Sequence, residues 1–298
     1  MNKAHREPGA ASALRLAHSI YRNVALFELW WEVEIGLRLA FYHTLAVPRI
    51  AEVLAKSGET KERPLKRAID TALLMYELID SGIDSPEGRE VIRVLNRIHR
   101  RWQIEPEDYG YVLATFIVCP ARFAGRYGWR PMTAAELEAS TLFYGEMGRL
   151  MGMRRTPASY EEAEEWLDSY EGANIGYSPE AAEMELAIEG AVRRRIPWVP
   201  GPLAGRGARI VTQELLGTEE LCEALGLPPS PRTERVFYLG MRARGFVVRF
   251  MPRRRRSWFN RAKLAAEVYP GGSYELANLG PDFATPTAHT HFPTADQG

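Results

Sequence analysis

The chain has 298 residues, 46% hydrophobic and 26% charged, which suits one large folded domain with a sizeable core. Its 38 basic and 38 acidic side chains leave no net charge, so global attraction to nucleic acid or to an acidic surface is excluded as an organising principle. Two cysteines, Cys119 and Cys222, form no CxxC pair; that excludes a thiolate metal cluster and a disulfide framework, and predicts two buried thiols in a reducing compartment.

Residues 1–22 are mildly basic and lack an apolar run, so they read as an N-terminal arm without a secretory signal. Val24–Val47 is the most apolar stretch, but Glu28, Glu32, Glu34 and Arg38 interrupt it. It predicts a long helix with a broad apolar face rather than a membrane span. Pro48 breaks it, and Ile50–Ser57 predicts a short helix stopped by Gly58. Pro64 suits a first helical turn, with helix over Leu65–Ile79 and a break at Ser81-Gly82. Ser85-Pro86-Glu87 supplies an N-cap, a proline at the first position and an acid in the first turn, so a helix starts there and runs to about Arg101.

Pro106-Glu107-Asp108 starts another helix, to about Gly128. Thr133–Glu136 and Ser159–Glu162 are capping boxes for two more, and Ser178-Pro179 opens a further one. Val192–Gly207, rich in proline, glycine and arginine, predicts a loop or boundary. Helical spacing resumes over Arg209–Leu225, Arg232–Phe250 and Trp258–Val268. The remainder, 271–298, predicts an irregular, draped tail. The expectation is an all-α, multi-helix single domain over 23–270, with its core in 63–153.

No GxxxxGK[ST], GxGxxG, GxSxG or HExxH motif occurs, which argues against the commonest nucleotide, dinucleotide, hydrolase and zincin sites. The residues three before His18, His43 and His99 are Arg15, Ala40 and Asn96, so the Glu-x-x-His pairs of a di-iron bundle are missing. Basic runs at Arg193–Arg195 and Arg253–Arg256, the second beside Trp258-Phe259, suit an anionic membrane surface better than a nucleic acid. Their plainer reading is a solvated helix end.

Arg67 and Thr71 stand at i, i+4 and share one helix face. His99 lies near the end of the next helix. If the two helices form a hairpin centred near Ile83, Arg67 and His99 both sit roughly 24 Å from the turn, at one level. The pair would have to splay to admit a macrocycle, since packed helices stand only about 8–10 Å apart.

The stretch Arg63–Met153 resembles the core of the MpaB/rubber-oxygenase family, which includes the latex-clearing proteins. The resemblance rests on an R-x-x-x-T helix, then S-P-E-G-R, N-R-I-H, E-D-Y-x-Y-V-L-A-T-F, G-W-R-P-x-T and E-x-G-R-x-M-G. Looser similarity reaches from about Glu28 to Pro281, in the manner of the shorter, MpaB-like branch. It implies a globin-like helical core, haem b held by one proximal histidine, and oxygenase activity. His99 corresponds to that histidine, the iron's protein ligand. Arg67 and Thr71 correspond to distal residues that contact the cofactor side and serve catalysis. Latex-clearing proteins carry a lysine just before that threonine, where this chain has Asp70. Glu52 is the candidate by spacing for their distal acid. The resemblance implies O₂ and a hydrophobic, isoprenoid-like alkene as substrates, with oxidation or cleavage of the C=C bond. The location expected is cytoplasmic or membrane-peripheral. The competing expectation is a non-catalytic haem- or lipid-binding helical protein on a membrane.

Overall fold

Start signals in the sequence set most helix boundaries. Ser85 accepts a hydrogen bond from the Gly88 amide at 2.8 Å, and Thr133 and Glu136 cap each other reciprocally. At Ser159 only half of the expected box forms: its hydroxyl accepts from the Glu162 amide, but the Glu162 carboxylate turns to the Ala158 amide and Arg155.

The computed structural model describes residues 8–195, 201–227 and 234–281, with Pro8, Ala10, 191–195, 201–208 and Glu234 described as backbone only. The helices are α1 (Pro8–Asn23), α2 (Trp30–Leu45), α3 (Pro48–Lys56), α4 (Glu59–Glu62), α5 (Pro64–Ser81), α6 (Pro86–His99), α7 (Pro106–Tyr127) and α8 (Ala134–Leu150). They continue with α9 (Tyr160–Asn174), α10 (Pro179–Arg195), α11 (Gly201–Leu216), α12 (Glu219–Ala224), α13 (Glu234–Arg249) and α14 (Arg261–Ala265). No strand occurs among the described residues, and the fold is all-α.

At the centre α2 packs along α7. Their closest approach is Gly36, where a Cβ would lie 2.2 Å from the Cα of Pro120. Only a residue without a side chain allows that contact. Around this pair, α1 lies against α8, α9 against α7, and α10 against α3, α4 and α11. Leu29, Leu73, Leu78, Ile79, Ile117 and Phe143 are among the fully buried side chains of the one apolar core. Both cysteines are free and buried, as expected.

Several boundaries differ from expectation. The N-terminal arm is, from Pro8 on, a helix whose Leu14, Ala17 and Tyr21 enter the core. Tyr21 and Tyr144 bond hydroxyl to hydroxyl at 2.8 Å. The predicted Val24–Val47 helix is split: Val24–Glu28 forms a π-helical turn running on from α1, and α2 starts only at Trp30. The 192–207 loop is shorter than predicted, because α10 extends to Arg195 and α11 begins at Gly201; the intervening 196–200 lies outside the described residues. Pro202 falls in a first turn, where proline costs a helix nothing. Gly217, at φ 73°, separates α11 from α12 where one helix was expected. Within Trp258–Val268 only Arg261–Ala265 is helical, since Trp258 and Phe259 are drawn into the core before Asn260 caps it. The tail to Pro281 drapes over α5 and α6, and 282–298 lies outside the described residues.

Candidate functional site

α5 and α6 pack together across a four-residue turn. The turn is tight: Gly82 adopts φ 86°, and a Cβ at Gly88 would meet the Gly82 carbonyl oxygen at 2.0 Å. That hairpin brings Arg67 near His99, close enough for the arginine's charge to act on the imidazole.

His99 closes α6. Its Nδ1 pairs with the Leu95 carbonyl oxygen at 2.7 Å, so Nδ1 carries the hydrogen and Nε2 is left with its lone pair. This is how backbone carbonyls orient metal-binding imidazoles. Burial lowers the His99 pKa, the Leu95 bond raises it by less, and the Arg67 charge adds the smallest effect, a further lowering. The ring is therefore neutral near pH 7. Tyr109, at the start of α7, lies against it with ring centroids 5.7 Å apart.

The Arg67 guanidinium donates to the Thr71 hydroxyl, which donates in turn to the Arg67 carbonyl at 2.9 Å. Its carbon stands 5.9 Å from the Phe41 ring centre. Burial lowers the Arg67 pKa, outweighing the opposing effects of Asp70 and Glu59. No described carboxylate comes within ion-pair distance of it. Arg67 and His99 thus feel burial strongly, yet both keep accessible surface. A desolvated guanidinium without an ion-pair partner favours an anion nearby.

These residues fit a haem. One neutral imidazole presents a free Nε2, and one permanently charged group with spare donors acts on it electrostatically. Among the described residues no group of three or more His, Cys, Asp or Glu is placed to hold a metal ion, so a protein-only cage is not built here.

Two neighbouring acids have other roles. Asp70, where latex-clearing proteins have lysine, is buried and faces the C-terminal segment. Lys66 Nζ donates to it at 2.7 Å, Tyr269 Oη at 2.5 Å and the Gly280 amide at 3.1 Å. Glu52 stands on the surface, paired with Lys56 at 2.8 Å with both side chains 58% exposed. An exposed acid cannot be the distal base that its spacing suggested. The buried acid that acts on Arg67 beside Asp70 is Glu59, which Arg63 pairs with one turn on. Sequence reasoning missed Glu59, Phe41 and Tyr109. Tyr109 stood in the E-D-Y block, whereas nothing local marked the other two.

A second buried polar cluster lies between α2, α7 and α9. His43 Nδ1 meets Glu171 Oε1 at 2.5 Å, and the Tyr111 hydroxyl contacts the same oxygen and the His43 carbonyl at 2.9 Å. Burial alone would lower the His43 pKa, but Cys119 and Glu171 raise it to about 10.

The expected aromatic partners of the Arg253–Arg256 run are not at the surface. Trp258 donates its indole N–H to the Ala25 carbonyl at 3.2 Å and packs edge-on to Tyr76 at 4.8 Å, while Phe259 is 8% exposed. The Arg193–Arg195 side chains lie outside the described residues. No described helix is long and apolar enough to cross a membrane.

The sequence profile described as "ER-bound oxygenase mpaB/B'/Rubber oxygenase, catalytic domain" matches residues 33–248. Among curated proteins, "ER-bound oxygenase mpaB'" of Penicillium brevicompactum is 25% identical over 264 residues, covering 83% of this chain and 62% of its own. "ER-bound oxygenase mpaB" of the same species is 26% identical over 247 residues, covering 76% and 61%. The namesake protein of Penicillium roqueforti (strain FM164) is 27% identical over 154 residues, covering 50% and 52%. The chain thus spans between half and two thirds of the length of these relatives. With the profile matched across most of the chain, this protein belongs to the mpaB/rubber-oxygenase catalytic-domain family.

Proposed function

We propose that this chain is a haem b-dependent oxygenase that oxidises or cleaves the C=C bond of a hydrophobic, isoprenoid-like substrate with O₂. The observation that carries the proposal is His99: Nδ1 is held by the Leu95 carbonyl, burial keeps the ring neutral, and the Arg67 charge acts on it. The oxygenase and rubber-oxygenase names of the family support the reaction class and the apolar substrate.

Haem bound here would supply the one-electron and O₂ chemistry that no side chain provides. The chain's own part is binding, orientation and charge. His99 would give Nε2 to the iron, with the Leu95 carbonyl fixing its tautomer. Arg67 holds a fixed positive charge that would pair with a carboxylate of the cofactor or balance negative charge developing on reacting oxygen. Thr71 holds the guanidinium in place by accepting from it, while its own hydroxyl hydrogen goes to the Arg67 carbonyl. Tyr109 and Phe41 supply aromatic walls.

The test is the ultraviolet–visible spectrum of the purified protein, with haem measured by pyridine haemochrome. A Soret band and about one haem per chain are expected. His99→Ala should come out colourless, whereas Arg67→Ala and Thr71→Ala should keep haem and lose oxygen uptake on an alkene substrate. A wild type without haem, or a His99→Ala spectrum identical to wild type, overturns the assignment.

A further inference from the structure

α13 and the residue after it carry an apolar stripe that is exposed among the described residues. Val236, Leu239, Ala243, Phe246, Val247 and Phe250 recur at three- and four-residue spacing and are all exposed, Phe250 at 72%. Phe246 and Phe250 stack edge-on in solvent, with ring centres 5.1 Å apart. Arg235, Arg242 and Arg249 recur every seven residues and line one edge of the stripe. Met251 extends the apolar surface, and the exposed run Arg253–Arg256 follows it. Between Glu234 and Arg256 there are eight arginines and a single acid, in a chain with no net charge.

The helix is pinned by its opposite face and cannot roll the stripe inward. Arg244 bonds Glu32 at 3.0 Å and lies 3.5 Å over the Trp31 ring. Gly245 is buried against the Gly128 carbonyl oxygen, which a Cβ would approach to 3.0 Å. An exposed row of large apolar side chains on a fixed helix marks an interaction surface.

We infer that the face of α13, together with Arg253–Arg256, docks the protein on an anionic lipid bilayer, with the phenylalanines in the acyl boundary and the arginines among the head groups. Charge complementarity selects this occupant. A second copy meeting the same face would bring seven more arginines against these, Arg244 being held on the opposite face, and an acidic protein would leave the six-residue apolar stripe without a partner. An amphipathic helix with arginine on its flank and phenylalanine in its stripe has the design of one that lies in a bilayer interface. The placement also puts an apolar substrate within reach of the protein from the lipid phase. The inference stands on α13 and the residues that follow it to Arg256, and is independent of the chemistry at His99.

The test uses the whole chain, co-sedimented with phosphatidylcholine vesicles made with and without phosphatidylserine. Binding is expected to require phosphatidylserine and to fall as salt is raised. Phe246→Glu/Phe250→Glu and the quadruple Arg253→Gln/Arg254→Gln/Arg255→Gln/Arg256→Gln should each lower partitioning by about tenfold or more. All six positions are exposed, so circular dichroism and thermal midpoint should match wild type. Equal binding to both vesicle types, no binding, or a double variant that binds like wild type overturns the inference. So does a dimer in solution that Phe246→Glu/Phe250→Glu dissociates, which would assign the stripe to a second copy.

Discussion

Asp70 interrupts the helix face that carries Arg67 and Thr71, and its role decides how the distal side is read. It accepts from Lys66 Nζ, Tyr269 Oη and the Gly280 amide, and is 2% exposed. Asp70→Ala would remove the carboxylate that an ammonium, a phenol and an amide share, leaving Lys66 the Gly280 carbonyl at 3.0 Å. Breaking a buried charged pair costs about 3–5 kcal/mol when the partner stays buried. Lys66 keeps 22% of its side chain exposed and can turn towards water, so about 3 kcal/mol is the appropriate figure. For a chain of this size that lowers the thermal midpoint by roughly 5–10 °C. Asp70→Asn should lose about half as much, because an amide oxygen still accepts from Tyr269 or Gly280. Asp70→Lys should be worse than alanine, because it sets a second ammonium against Lys66. Calorimetry gives the midpoints, and limited proteolysis near Tyr269–Pro281 reports release of the tail. The haem spectrum of Asp70→Ala should match wild type. An unchanged midpoint together with an altered spectrum would refute the argument and put Asp70 in the cofactor site.

His43 gives a pH dependence. Its pKa is raised to about 10 in the fold from 6.5, so its stabilisation is fully present below about pH 6.5 and is lost as pH rises through about 10. Glu171→Gln should lower the His43 pKa, read from its ring proton shifts, and flatten the stability curve over that window. Gly36→Ala should cost several kcal/mol, on the order of an overpacked core, because the new methyl meets the Pro120 backbone; a midpoint near wild type would show that α2 and α7 separate freely. Glu52→Ala should change stability by less than about 0.5 kcal/mol and leave oxygen uptake intact, since its pairing among the described residues is an exposed one with Lys56. Lost turnover in that variant would return Glu52 to the site.

The sequence by itself determined the helices whose signals are local. Ser85, Thr133 and the prolines at Pro64, Pro86 and Pro106 act on amides within three or four residues, so the α5–α8 starts were legible without the fold. The His99 tautomer is local in the same sense, because the acceptor is the carbonyl four residues back. The pairing of Arg67 with Thr71 needs only one helical turn, and the short turn after Ser81 made the approach of Arg67 to His99 foreseeable.

Only the tertiary structure decided what depends on distant partners. Asp70 faces an amide at Gly280, His43 meets Glu171 across 128 positions, and the Trp258 indole finds the Ala25 carbonyl. No periodicity encodes those pairings. They arise because burying an aromatic ring or a carboxylate requires whichever acceptor or cation the packed helices place beside it. The same packing left Glu52 exposed beside Lys56, drew Trp258 and Phe259 inward, and left the apolar side of α13 outside.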